Sequence, residues 1–212
     1  MNSVARRSTI SRSQPVQASL PSPVPVASAS VVAWNDFLCP TTYLSHRNTR
    51  NKLSRNELAA FTKLDSEIER YLLHAKNLGV VFVLCEDSAA TIETLCHRFL
   101  PRTARLFSSR DLHNSIHLIC AATAITPVWH AQIVYSICTT RFGGQGIALT
   151  ACGTASLRAS CLEVANFVPI VPKLITISQK QPTAGQAAAT LKTVTDNLSR
   201  ASSHNGPIDM TI

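Results

Sequence analysis

Short apolar runs rich in β-branched residues, parted by turn residues, fill this chain from Val80 onward and constrain its fold more than any other feature. Val80-Val81-Phe82-Val83-Leu84-Cys85 has the length and branching of a buried strand. Strand-like pieces follow at residues 103–107, 115–124, 132–139, 146–150, 173–178 and 190–195. Turn signals at Thr126-Pro127, Gly143-Gly144 and Pro182-Thr183 separate several of them. Strands this short at this spacing predict a mainly-β sandwich or barrel. One strand–helix–strand piece around residues 80–107 is the unit a doubly wound sheet repeats, but the strand-rich remainder outweighs it.

Two helices are expected as insertions in that framework. The first covers residues 54–78. Ser54 can cap its first turn while Glu57 reaches back in a capping box, Leu53 and Leu58 form a staple, and Gly79 supplies the stop. Leu58, Phe61, Leu64, Ile68, Tyr71, Leu72, Ala75 and Leu78 make one apolar stripe, suited to a core or to a subunit contact. Asp65, Glu67, Glu69 and Arg70 fall to its solvated side. The second helix, about residues 88–99, takes Asp87 or Ser88 as its cap and is halted by Pro101.

A chain of 212 residues suits one domain with a sizeable core and a short tail. Residues 1–30 are rich in Ser, Pro, Ala and Val, hold Arg6, Arg7 and Arg12, and precede the first acid, Asp36. They predict a flexible basic arm ahead of a domain over residues 31–212. A transit peptide is the alternative, opposed by the run Pro21-Ser22-Pro23-Val24-Pro25-Val26, which breaks an amphipathic helix. Only 15% of residues are charged, low for a monomer whose whole surface stays wet, so much of the surface is expected to meet other chains. The net charge of +8 favours a polyanionic partner. The seven cysteines form no Cys-x-x-Cys pair and mostly sit in apolar runs, as buried free thiols do. No apolar stretch reaches the roughly 20 residues of a bilayer span, so no membrane partner is expected.

Catalytic and metal constellations are missing from the pattern. There is no Gly-x-Ser-x-Gly elbow, and Gly143-Gly144-Gln145-Gly146 lacks the Lys and Ser/Thr of a phosphate loop; its glycines suit a tight turn with positive φ. His113 and His117, with Cys120 beyond, would lie about 13 Å apart on a strand, too far for one metal. Adjacent Glu86 and Asp87 point apart. No cofactor, no metal and no enzymatic activity are expected. The basic groups carry more information. Arg6, Arg7 and Arg12, then Arg47, Arg50, Lys52 and Arg55, are the candidate RNA contacts, of the dispersed kind that meets phosphates without reading bases. Arg98, Arg102, Arg105 and Arg110 form another such group. With 6% aromatics, a base-stacking platform is not expected.

Phe142-Gly143-Gly144-Gln145, followed about thirty residues on by Pro172-Lys173-Leu174 and then by Gln181-Pro182, resembles the C-terminal half of the coat proteins of tymovirus-like icosahedral plant viruses. Residues 86–98 are similar to the short helix between the third and fourth barrel strands of that family, and residues 115–127 to the strand and Pro-containing loop after it. The resemblance spans roughly residues 80–212. It implies a viral jelly roll whose copies tile a quasi-equivalent (T=3) icosahedral shell around positive-strand RNA. The protein would then reside in the virion, and in host cytoplasm before assembly, its partners being further copies of itself and single-stranded RNA. Two alternatives stay open. One is a plant-virus movement protein that binds single-stranded nucleic acid, for which Leu84-Cys85-Glu86-Asp87 and Gly143 are a near match. The other is a cysteine hydrolase.

Overall fold

The structure is a computed structural model that describes residues 27–46 and 53–212. Its strands are β1 (Ala27–Ala33), β2 (Val80–Cys85), β3 (Ile116–Cys120), β4 (Ile147–Gly153), β5 (Ile170–Thr176) and β6 (Ile208–Thr211). They form one sheet in the order β3-β2-β1-β4-β5-β6, and every pairing in it is parallel. Parallel neighbours cannot be joined by hairpins; each step needs a crossover, and here helices supply it. They are α1 (Thr41–His46), α2 (Arg55–Lys76), α3 (Ala89–Phe99), α4 (Pro101–Ser108), α5 (Trp129–Ser136), α6 (Ala155–Val164) and α7 (Ala184–Ser203).

This doubly wound, Rossmann-like α/β fold overturns the expected mainly-β jelly roll. Three segments read as strands are helical. Residues 103–107 lie in α4, 132–139 in α5 and the π-helical turn that extends it (Ile137–Arg141), and 190–195 in α7. In α7 the β-branched Thr190, Thr193, Val194 and Thr195 give a local strand bias that the longer period overrides. Ala184, Ala187, Ala188, Leu191, Val194 and Leu198 are buried at helical spacing, and Thr183 and Gln186 close a capping box. Pro101 stops α3, as expected, which ends at Phe99 with Leu100 as its cap, and it also starts α4 as its first residue. The expected strand Val80–Cys85, the helix from 55 with its Ser54–Glu57 capping box, and the helix capped by Ser88 are all present, but as crossover units rather than barrel parts. The last residues of the expected arm, Ala27 to Ser30, are the first half of the central strand.

β1 explains why the strands read as continuous apolar runs. It pairs with β2 on one side and β4 on the other, and Val31 and Val32 are wholly buried. A sheet covered on both faces gives no hydrophobic–polar alternation. On one face α2 packs along α7, and on the other α5 packs along α6. The crossovers β4–α6–β5 and β5–α7–β6 step in the same direction across opposite faces, so they have opposite hands. Only one of them follows the usual right-handed rule. The consequence is local: among the described residues no helix lies beyond α6 on that face, and residues at the ends of β5 and β6 line a crevice there. The seven cysteines are free, six of them buried. No described helix is long and apolar enough to cross a membrane.

Candidate ligand-binding crevice

Strand order reverses between β1 and β4, and in open α/β sheets ligands bind outside the carboxyl ends of the strands at such a switch point. A crevice of about 810 Å³ lies there. Asp36, just past β1, and Thr154, just past β4, form its inner end, while Asp209 and Thr211 of β6 form its outer end. Gly153 permits the inner geometry: a Cβ there would stand 2.6 Å from the Ala33 Cβ and 3.1 Å from Leu157. Only glycine lets β1, β4 and the start of α6 come this close.

Two loops are held in strained backbone around the opening. Asp36 (φ 58°) and Gln181 (φ 54°) are the non-glycine residues with positive φ among the described residues, and both line this crevice. Such outliers persist where surrounding structure over-determines them, often at functional sites. The cause is visible at Asp36. Its carboxylate accepts hydrogen bonds from the Thr42 backbone N–H at 2.9 Å, from the Thr42 hydroxyl and from the Thr41 hydroxyl, which pins α1 over the end of β1. Next to it Asn35 donates to Asp87 at 2.8 Å and accepts from the Glu86 N–H at 3.0 Å, tying the end of β1 to that of β2.

The walls are polar but electrostatically balanced. Arg158 grips the Asp209 carboxylate with two N–H groups, one at 2.8 Å, which holds that carboxyl below the usual aspartate range and raises the guanidinium. Lys180 lines the crevice and has no ion-pair partner among the described residues. Thr176 is 6% exposed, lines the floor, and its hydroxyl has no hydrogen-bond partner. Thr154 takes the extended N-cap conformation of α6, yet its side chain caps nothing, and no acid stands in the first turn of that helix.

Nucleophilic chemistry finds no support in these walls. Neither His nor Cys lines the crevice. Burial pushes the Cys96, Cys152 and Cys161 thiols up to about 12, and Cys138 to about 11, away from the thiolate that a hydrolase needs. His130 lies 3.4 Å from Glu86 outside the crevice; burial pushes the imidazole down and the carboxyl up, so both favour their neutral forms. Among the described residues no three His, Cys, Asp or Glu side chains are placed to share a metal ion.

The residues singled out by sequence are scattered. Phe142 to Gln145 make the expected tight turn, with Gly143 at φ 61° and Gly144 at φ 71°, but this turn leads into β4 at the end of the sheet opposite the crevice. Pro172, Lys173 and Leu174 lie inside β5. Of the motif residues only Gln181 reaches the crevice; Pro182 precedes the cap of α7. Arg55 is exposed at the start of α2, while Arg6, Arg7, Arg12, Arg47, Arg50 and Lys52 lie outside the described residues. In the remaining basic group, Arg98 stacks over Phe99 and Arg102 pairs with Glu69 at 2.8 Å. The crevice residues were missed because they come from segments far apart in sequence. The one local signal was the Gly153-Thr154 step from an apolar run into a helix.

Comparison with family models, with curated proteins and with solved structures finds no match to this chain.

Proposed function

We propose that this protein binds a small polar molecule in the crevice outside the carboxyl ends of β1, β4, β5 and β6. One observation carries this: a cavity of about 810 Å³, the size of a small-molecule site, lies where the strand order reverses, with both strained non-glycine residues in its wall. Hydroxyls of Thr42, Thr154, Ser156, Thr176, Ser178 and Thr211 and the amides of Gln179 and Gln181 offer hydrogen bonds in both directions. The only carboxylates there, Asp36 and Asp209, are already engaged, so neither is a free base, and binding rather than turnover is the function the walls support. Thermal unfolding against a panel of mononucleotides, sugar phosphates, hexoses and dicarboxylates tests this. At least one member should raise the Tm of the wild type and not that of Thr211→Trp, which fills the outer floor from an exposed edge position. No shift with any member, or equal shifts in both proteins, would refute it.

Self-association is a second reading with its own observation. The coat-protein expectation rested on short motifs whose resemblance implied a jelly roll, and the doubly wound sheet is not the fold they implied. The weak surface charge remains. Between Ala121 and Pro172 only Arg141, Arg158 and Glu163 are charged, and this stretch supplies α5, α6 and the turn after α6, which expose Tyr135 (48%), Leu162 (37%) and Phe167 (73%). A second copy of the chain is the occupant proposed for that face. Light scattering from dilute to concentrated protein, with and without single-stranded RNA, should show growth in mass that Phe167→Glu/Tyr135→Glu abolishes. A constant monomer mass under all conditions would end the idea.

A further inference from the structure

Building on the crevice as a ligand site, we infer that its ligand carries a phosphate group, seated on the first turn of α6. The ten-residue α6 begins at the crevice wall with its cap hydroxyl unused and no acidic side chain in its first turn. The first-turn N–H groups have no intrahelical partners, and Ala155 and Ser156 stand in the crevice wall, where the helix dipole favours an anion. An independent observation points to the same place. Thr176 pairs in register with Gly153, so its side chain lies on the same face of the sheet, beneath the start of α6. Its hydroxyl is buried and unpartnered, a state that costs stability unless a ligand or water supplies the missing bond.

The formal charges of the crevice sum to zero, and their pairing leaves a cation available. Arg158 and Asp209 neutralise each other, and the Asp36 carboxylate is engaged by Thr41 and Thr42. Lys180 is left as the cation without an acidic partner, on the loop opposite the α6 N-terminus in the same cavity. Main-chain donors, a hydroxyl donor and one ammonium are the set that accepts a phosphate; a neutral polyol would use neither the helix end nor the lysine. Phosphate on a ligand and free inorganic phosphate share this chemistry.

Titrating the ¹⁵N-labelled full chain with inorganic phosphate, and separately with a phosphate monoester and its dephosphorylated parent, tests the inference. Phosphate should move the amide resonances of Ala155, Ser156 and Leu157. Lys180→Ala should weaken binding about tenfold, as losing a charged hydrogen bond does. Ser156→Asp gives a readout that misfolding cannot imitate: a carboxylate at the helix start should raise Tm while abolishing phosphate binding. A monoester that binds more tightly than phosphate marks a phosphorylated ligand, and equal affinities mark free phosphate. Phosphate that moves none of these amides, or binds Ser156→Asp as well as wild type, overturns the inference. In that event the dephosphorylated parent separates the two claims: shifts at Gln179 and Thr211 leave the crevice standing without a phosphate, and their absence removes this support for both.

Discussion

Replacing Asp65 by alanine should be among the most damaging single changes in this protein. The α4 helix begins at Pro101 behind an apolar cap residue, Leu100, and has no side-chain cap of its own. The cap comes from α2. Asp65 is 2% exposed and accepts hydrogen bonds from the Arg102 N–H at 2.8 Å, the Thr103 N–H at 2.9 Å and the Thr103 hydroxyl at 2.8 Å. Thr103 is wholly buried, so alanine would strand two of its polar groups, at about 1 to 2 kcal/mol each. The Arg102 N–H adds about 0.5 to 1 kcal/mol as a lost cap bond. The sum, about 2.5 to 5 kcal/mol, is a large share of a typical domain's stability. In urea, with a slope of about 2 to 3 kcal/mol per molar, the midpoint should fall by about 1 to 2.5 M. Thr103→Val should cost about 1 kcal/mol alone and close to nothing on the Asp65→Ala background, because the hydroxyl it removes is by then an orphan. A midpoint drop near that of an ordinary surface change, or strict additivity of the pair, would refute the reasoning.

Other expectations follow from the same kind of geometry. A Cβ at Gly79 would sit 2.3 Å from the Ser28 carbonyl oxygen, so Gly79→Ala should cost about 3 kcal/mol or more by forcing β2 away from β1, whereas Gly143→Ala, with open space around it, should cost about 1 kcal/mol; urea midpoints compare them. Lys173 is buried in β5 and its ammonium donates to the Ser202 and His204 carbonyls at the end of α7, so Lys173→Met should cost about 2 kcal/mol and speed amide exchange in the last turn of that helix. Burial pushes the His130 imidazole down, and burial with Arg141 does the same to His117. The unfolded chain then holds protons the folded chain releases, so stability should rise with pH from their depressed values to about 6.5 and level off above it, and His130→Gln should flatten that rise; an unchanged slope would contradict it. On the acid side, Arg158 holds Asp209 low, and Lys192 with Arg70 holds Asp196 low, so their support is complete above the ordinary aspartate range and fades as pH falls through the lowered values.

Much of the local structure was legible, and the architecture was not. The capping box at Ser54 and the buried run at Val80 announced themselves because caps and apolar period are local. Residues 190–195 misled because Thr and Val favour strands over a short window, while the deciding signal, the Ala187, Leu191, Val194, Leu198 stripe, needs the whole helix to see. Ala27 to Ala33 was split between arm and domain because a central parallel strand of small residues carries no alternation and follows a Pro- and Ser-rich segment. The jelly roll was inferred from short motifs that fix turns and strand residues but say nothing about parallel pairing. Asp65 was assigned to a solvated side because its partner lies 37 residues away. The crevice was invisible for the same reason: Asp36, Thr154, Thr176, Gln181 and Asp209 meet only once the sheet is wound.

The central claim, a small-molecule site at the switch point, is tested most directly by mapping amide shifts across the whole described chain with the best member of the ligand panel. Shifts concentrated at Asp36, Thr154 to Ser156, Thr176 to Gln181 and Thr211 are predicted. Shifts centred instead on the Gly143–Gly144 turn at the far end of the sheet, or on the outer side of α2 and α7, would contradict it.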